Sequence, residues 1–303
     1  RYSKKEKDGF YKYLLEHTAE FKDLPEDILQ MIFESQSYLI TMLAVKNAVF
    51  NINDFEGKVL AEKDVDIIKR FAKVFDQAYT RFLDLQKAEA QAKEATIEMA
   101  LEKVRSRSLA MQKSDELADL SLELVKQVQA LGVATWFCAF NIYNDNDSLE
   151  WGSNGQGTFE KYITPREGVF LRYYEAGQRG ETLLINEIGE DECPAHYEYL
   201  CSLPGVGDQL VKMKAEGIPF PASQIDHVAF HKYGYLIFIT YEPVPEAHDI
   251  FKRFAKVFEQ TYTRFLDLQK AEAQAREAQI ETALERVRSR SLRKKKSEEL
   301  KEV

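Results

Sequence analysis

Apolar residues between positions 69 and 111 recur in alternating steps of four and three. Phe71, Phe75, Ala78, Phe82 and Leu85 form one stripe, and Ile97, Leu101, Val104, Ser108 and Met111 form a second, out of phase with the first. This spacing is that of an α-helix carrying an a/d seam. No Gly or Pro interrupts Lys69–Leu109, and Ala, Glu, Gln, Lys, Arg and Leu dominate it, so propensity agrees with periodicity. The phase change falls in the Ala-rich AEAQAKEAT and predicts a local change of supercoil. Continued to Leu131, one helix would extend about 95 Å. Phe71, Phe75, Tyr79 and Phe82 make a broad stripe suited to a sheet or a partner helix. The Ala-rich remainder is marginal alone and predicts a partner, most economically the same helix of a second subunit.

Between 114 and 268 the period switches repeatedly. SDELADLSLELVKQVQALG reads as an amphipathic helix with Ser114 as cap and Gly132 as stop. ATWFCAFNIYND is rich in aromatic and β-branched residues and closes in turn chemistry, with SLEWGS as its hairpin partner. EGVFLRYYEAGQRG predicts a helix, ETLLINEI a strand, and AHYEYLCSL a short helix followed by VGDQLVKMKAEG. IDHVAFHKY and YLIFITYEP predict two strands joined tightly around Gly234. PEAHDIFKRFAKVFEQTYTRFLDL then leaves as a long helix. The expected fold is α+β, an antiparallel sheet flanked by helices.

The long helix is written twice. Arg70–Leu109 and Arg253–Leu292 differ at six of forty positions, at an offset of 183 residues. A fixed period of this kind marks a modular chain. Carried back from Ser114, that offset runs past Arg1, so residues 1–68 are expected to be the C-terminal part of a truncated unit. KKKSEELKEV likewise stands where MQKSDELADL stands in the first copy. The expected organisation is therefore 1–68, a helical linker over 69–113, a full α+β domain over 114–268 whose exit helix begins near 246, and a second linker over 269–303 leading to a further domain. LEKVRSRS and LERVRSRS place Glu102, Arg105, Arg107 and Ser108, and Glu285, Arg288, Arg290 and Ser291, near the seam. Polar groups there set register and oligomer state.

Composition narrows the function. A hydrophobic fraction of 45% with 12% aromatics is that of a folded chain. No apolar run approaches a membrane span. A net charge of −9 argues against a nucleic-acid surface. Three cysteines without framework spacing, Cys138, Cys193 and Cys201, favour a reducing, cytoplasmic setting.

Candidate chemistry is sparse. GSNGQG lacks the Lys-Ser/Thr of a phosphate loop and reads as a turn. His227 and His231 share a face on a strand, without a third ligand. CPAH with Cys201 is an isolated spacing, Cys138 sits in an apolar strand, and His248 precedes an acidic residue at a helix start but corresponds to Val65 in the first copy of the repeat. Nothing argues for catalysis within these residues, and no cofactor is required. A small-molecule pocket is the better use of the aromatic excess: Trp136, Phe140, Trp151, Tyr173, Tyr197, His231 and Tyr241 are candidates to line it, against the alternative that they fill the core.

The hairpin HVAFHKYGYLIFITYEP running straight into a terminal helix resembles a GAF-type sensor domain. ALEKVRSRS followed by KSDEL, and ALERVRSRS followed by KSEEL, resemble the signalling helices that join such domains. KRFAKVFEQTYTRFLDLQKAEAQAREAQIE is similar to the linkers of multi-domain cytoplasmic sensor proteins of Bacteroidetes-type bacteria. The chain departs from the cyclic-nucleotide-binding members, having no Asn-Lys-Phe-Asp-Glu set, and from the bilin-attaching ones, having no Cys-His dipeptide. The resemblance implies a GAF-like sheet flanked by helices and joined by long parallel coiled-coil helices. It implies a homodimer that passes a ligand- or partner-induced change to a downstream output domain such as a histidine kinase. The alternatives are a structural spacer without ligand and an accessory part of an enzyme.

Overall fold

The strand-period segments flanking the two helix copies form two antiparallel sheets in the computed structural model, which describes residues 1–299. The chain divides into two units, Arg1–Lys93 and Glu94–Val303, with the division inside a helix.

The first unit runs β1 (Tyr2–Ser3), α1 (Lys4–His17), α2 (Ala19–Lys22), α3 (Glu26–Glu34), β2 (Ser37–Ala44), β3 (Val49–Asp54) and the start of α4 (Glu62–Leu109). Its sheet has the order β1-β2-β3. Tyr11, Ile32 and Tyr38 form a small core, where the buried Lys7 ammonium donates to the Ile32 carbonyl and Ser35 hydroxyl.

The second unit continues through α5 (Leu117–Ala130), β4 (Thr135–Tyr143), β5 (Asp147–Ser153), β6 (Tyr162–Pro165), α6 (Gly168–Gln178) and β7 (Leu183–Ile188). It closes with α7 (Cys193–Ser202), α8 (Val206–Ala215), β8 (Gln224–His231), β9 (Gly234–Thr240) and α9 (His248–Glu299). The α+β class and the antiparallel sheet are as expected. β6 was missed, because four residues ending in Pro165 carry almost no periodic signal. The six strands lie in the order β6-β5-β4-β9-β8-β7. Gly234 is required at the β8–β9 turn, since a Cβ there would meet the Asn141 carbonyl oxygen at 1.9 Å. The last part of each unit is written alike: strand, helices, two adjacent strands, long helix, with orders β1-β2-β3 and β7-β8-β9.

Strand alternation separates two cores across this sheet. On one face, Cys138, Phe140, Trp151, Leu236 and Phe238 pack with α5, residues 97–111 and the first half of α9. On the other, Phe137, Tyr235, Ile237 and Ile239 pack with α6, α7 and α8.

The continuous helix to Leu131 does not form. α4 stops at Leu109, and the backbone N–H groups of Gln112 and Lys113 donate to the Glu116 carboxylate at 2.9 and 3.0 Å. That carboxylate caps a 3-10 turn at Ser114–Glu116, so Ser114 lies inside the turn rather than at its cap. α5 follows and ends where Gly132 takes φ 85°.

The two copies of the repeat sit in opposite environments. In the first, Phe71 and Val74 are 71% and 64% exposed, while Ile97, Leu101 and Val104 are buried. In the second, the counterparts Phe254 and Val257 are buried, while Ile280, Leu284 and Val287 are 45%, 63% and 63% exposed. Residues 94–112 run parallel to residues 253–269 of the same chain. Arg253 bridges Glu94 at 2.6 Å and Glu98 at 2.5 Å, the Ser108 and Thr261 hydroxyls lie 2.7 Å apart, and Gln269 donates to the Gln112 carbonyl at 2.7 Å. The expected partner of the seam over 97–111 was a second subunit. Here it is the chain's own α9, because the aromatic half of the second copy is broad enough to cover both the sheet and this seam. The Ala-rich Gln86–Ala95 stays exposed.

The polar positions divide accordingly. Ser108 is buried in the α4–α9 contact, Arg107 pairs with Asp119 at 3.1 Å, and Arg105 and Glu102 make an exposed pair on one helix. Glu285 and Arg288 repeat that last pair, at 3.3 Å. Arg290 and Ser291 lie outside the residues whose side chains are described.

Candidate functional site: an acidic cavity under the sheet

A cavity lies between the sheet and α6–α8, with about 60 Å³ open to the centres of water molecules. That is room for several waters. Its walls are mostly aromatic: Trp136, Phe137, Phe159, Phe170 and Tyr197. Two carboxylates, Glu150 from β5 and Asp226 from β8, stand among them, both almost fully buried.

Donors converge on these two groups. The Tyr173 hydroxyl donates to Asp226 Oδ2 at 2.5 Å, and Gln224 Nε2 donates to Asp226 Oδ1 at 2.7 Å. Behind them, Asn186 Nδ2 donates to the Tyr173 hydroxyl at 3.1 Å, Arg172 donates to Asn186 Oδ1, and the Tyr197 hydroxyl donates to Gln224 Oε1 at 2.6 Å. Glu150 accepts from Tyr162 at 2.5 Å and from Asn141 at 2.8 Å. Each of these chains of donors terminates on a carboxylate oxygen. No Lys or Arg forms a salt bridge with either carboxylate among the described residues. Burial pushes the Asp226 carboxyl up to about 6, against the hydrogen bonds from Tyr173, Gln224 and Asn186 that favour its ionised form. Glu150 is raised by the same cause. Burial also holds the Tyr162 and Tyr173 hydroxyls well above their ordinary range, so both remain donors.

The aromatic candidates from the sequence divide between the faces. Trp136, Tyr173 and Tyr197 line the cavity. Phe140 and Trp151 belong to the opposite core, and His231 packs edge-on against Phe258 of α9 at 5.0 Å. Tyr241 stacks beside Trp136 at 6.5 Å and borders a neighbouring hollow instead. A bulge between Thr135 and Phe137 accounts for part of the misassignment, since it lets Trp136 and Phe137 both reach the cavity. Glu150, Asp226, Gln224 and His196 were not singled out from the sequence. The available signal was a carboxylate in each of two apolar strands, SLEWGS and IDHVAF.

The remaining candidates do not converge. His227 donates from Nε2 to the Thr240 hydroxyl at 2.9 Å, because that hydroxyl is itself spent on the Glu242 carbonyl. Its ring lies 5.2 Å from both His248 and Phe251. Cys193 donates to the Pro221 carbonyl at 3.3 Å, and burial raises the Cys138 thiol to about 12. GSNGQG begins inside β5, which ends at Ser153, and Asn154 accepts from the backbone N–H groups of Gln156 and Gly157. A Cβ at Gly152 would strike the Phe137 ring, so this glycine makes room for a cavity wall.

Buried imidazoles make stability pH-dependent. Burial lowers His196 and His227 to about 4 and His231 to about 3, with His248 adding to the effect at His227. Unfolded imidazoles protonate near 6.5, so the stability these groups contribute is full above that pH and is lost as pH falls towards 4. Asp226 acts oppositely: its folded value lies above its unfolded one, so stability falls as pH rises from 3.8 to about 6. His231→Phe isolates the first effect. Relative to wild type it is expected to gain roughly 2–3 kcal/mol on going from about pH 7 to about pH 4.5. Urea unfolding at both pH values measures this, and equal differences at the two would contradict a neutral buried His231.

No protein-family model matches the chain, and no curated protein matches it. No helix among the described residues is long and apolar enough to cross a membrane.

Proposed function

We propose that the second unit is a sensory domain that binds a small organic cation at Asp226 and Glu150 and passes the change to α9. In this reading the chain is a regulatory part of a cytoplasmic signal-transduction protein, GAF-like in architecture, whose helices lead to an output domain. The observation that carries it is the pair Asp226–His227. These residues are consecutive on β8: Asp226 faces the cavity, and His227 packs against His248 and Phe251 at the start of α9. Ile237 and Phe238 repeat the arrangement on β9, where Phe238 stacks on Phe251 at 4.2 Å. A displacement of either strand at the cavity therefore changes the seat of the helix, a two-state packing change of the kind that links distant sites.

The ligand class follows from charge. Two buried carboxylates with neutral donors and, among the described residues, no salt-bridge partner favour a guest that supplies positive charge and N–H groups. Aromatic walls favour the same charge. The cavity volume limits the guest to a few heavy atoms unless side chains move.

Methylammonium is the first probe, with methanol as its neutral isostere. Methylammonium at 100 times its Kd is expected to raise unfolding stability by about 2.7 kcal/mol, with no response to methanol and none in Asp226→Asn. Its affinity is expected to rise with pH up to about 6, where Asp226 ionises, and then level off. Equal responses to methylammonium and methanol, or an unchanged response in Asp226→Asn, would leave the buried network a purely structural one.

A further inference from the structure

The two exposed faces of the repeat are the two halves of one joint that the chain already makes. Within the chain, the donor half is Glu94, Ile97, Glu98, Leu101 and Val104 on α4. The acceptor half is Ile250, Arg253, Phe254, Val257 and Phe258 on α9. The residues share one apolar core, and Arg253 clamps both glutamates.

Each half has an unused copy. The donor recurs as Glu277, Ile280, Glu281, Leu284 and Val287 on α9, identical residue for residue. All five are exposed. The acceptor recurs as Ile67, Arg70, Phe71, Val74 and Phe75 on α4, again identical. Ile67, Arg70, Phe71 and Val74 line a surface hollow, and Phe71 and Val74 are among the most exposed apolar residues of the chain. Charge matches as well as shape: Arg70 takes the place of Arg253, and Glu277 and Glu281 the places of Glu94 and Glu98. One polar contact is lost, because Ala78 replaces the Thr261 that bonds Ser108.

We propose that residues 277–287 of one molecule dock in parallel on residues 67–75 of a second copy, repeating between chains the joint made within each. The contact is heterologous: in a docked pair one molecule keeps its acceptor face free and the other its donor face, so the assembly grows head to tail. This differs from the symmetric pairing of equivalent helices, in which a seam meets its own copy.

Half-blocked chains test the proposal. Val74→Asp spoils only the acceptor and Leu284→Asp only the donor, both at exposed positions. Wild type is expected to gain mass steadily with concentration in sedimentation velocity, and each variant alone to stay monomeric. Their equimolar mixture is expected to give a discrete one-to-one dimer, since each supplies the face the other lacks. Arg70→Glu is expected to raise the dissociation constant about tenfold or more, with recovery against a partner carrying Glu277→Arg and Glu281→Arg. A monomeric wild type at every concentration would overturn the proposal. So would a mixture without heterodimer, or a Val74→Asp chain that dimerises alone while Leu284→Asp does not. That last pattern is the signature of the symmetric pair.

Discussion

Phe258→Ala is expected to destabilise the second unit by about 3–5 kcal/mol, and Phe75→Ala, at the same place in the first copy, to change stability by less than about 1 kcal/mol. The two phenylalanines have nearly the same neighbours in sequence, so local propensity cannot separate them. Their tertiary surroundings do. Phe258 is fully buried, with ring centres 4.5 Å from Phe140, 5.0 Å from His231 and 5.1 Å from Tyr262. Removing it opens a cavity that the sheet on one side and α4 on the other cannot both close. Phe75 is 45% exposed and touches Phe50 edge-on at 5.1 Å, so truncation leaves solvent rather than a void. Urea unfolding followed by tryptophan fluorescence reads Phe258→Ala, because Trp136 and Trp151 both lie in the second unit, and far-UV circular dichroism, which also reports the helices and strands of the first unit, reads Phe75→Ala. Equal losses for the two variants would contradict the assignment of environments.

Val104→Asp is expected to unfold the second unit, and Val287→Asp to alter its stability by no more than about 0.5 kcal/mol. Val104 is fully buried between α5 and α9 in the core that carries the exit helix. An aspartate there loses the burial of the valine and must either ionise in an apolar setting or stay protonated without a partner. Together these cost several kcal/mol, comparable with the whole stability of a domain. Val287 is mostly exposed, so the same change replaces one solvated side chain with another. Circular dichroism and thermal unfolding distinguish the two. A folded Val104→Asp chain with an unchanged midpoint would mean that residues 97–111 are not packed on their own domain.

Much of the fold is legible in the sequence because periodicity and turn chemistry agree there. Val228 and Ala229 face opposite sides of β8 as alternation requires, and Gly132 stops α5 as expected. What the sequence leaves open is which surface covers which stripe. The seam over 97–111 satisfies the coiled-coil pattern, yet a pattern of apolar positions does not say whether a second chain or the same chain supplies the knobs. The end of α4 is hidden for a related reason. Glu116, which caps the following turn, is also a good helix former, and only the tertiary contact of α5 with the sheet decides between the two. At the site, the aromatic residues are legible as a class, but their division between faces depends on the bulge at Thr135–Phe137. Asp226 and Glu150 announce themselves only as charges in apolar strands. The donors that make them a site come from α6, β4, β6 and β8, backed by α7 and β7, which no local window brings together.

Occupation of the acidic cavity is expected to be felt by the exit helix across the sheet. Amide hydrogen exchange with and without saturating methylammonium tests it most directly, in wild type and in Asp226→Asn. Added protection is expected in β8, β9 and residues 248–265 of α9, all of it absent in the variant. Protection confined to α6–α8, with β8 and α9 unchanged, would contradict it.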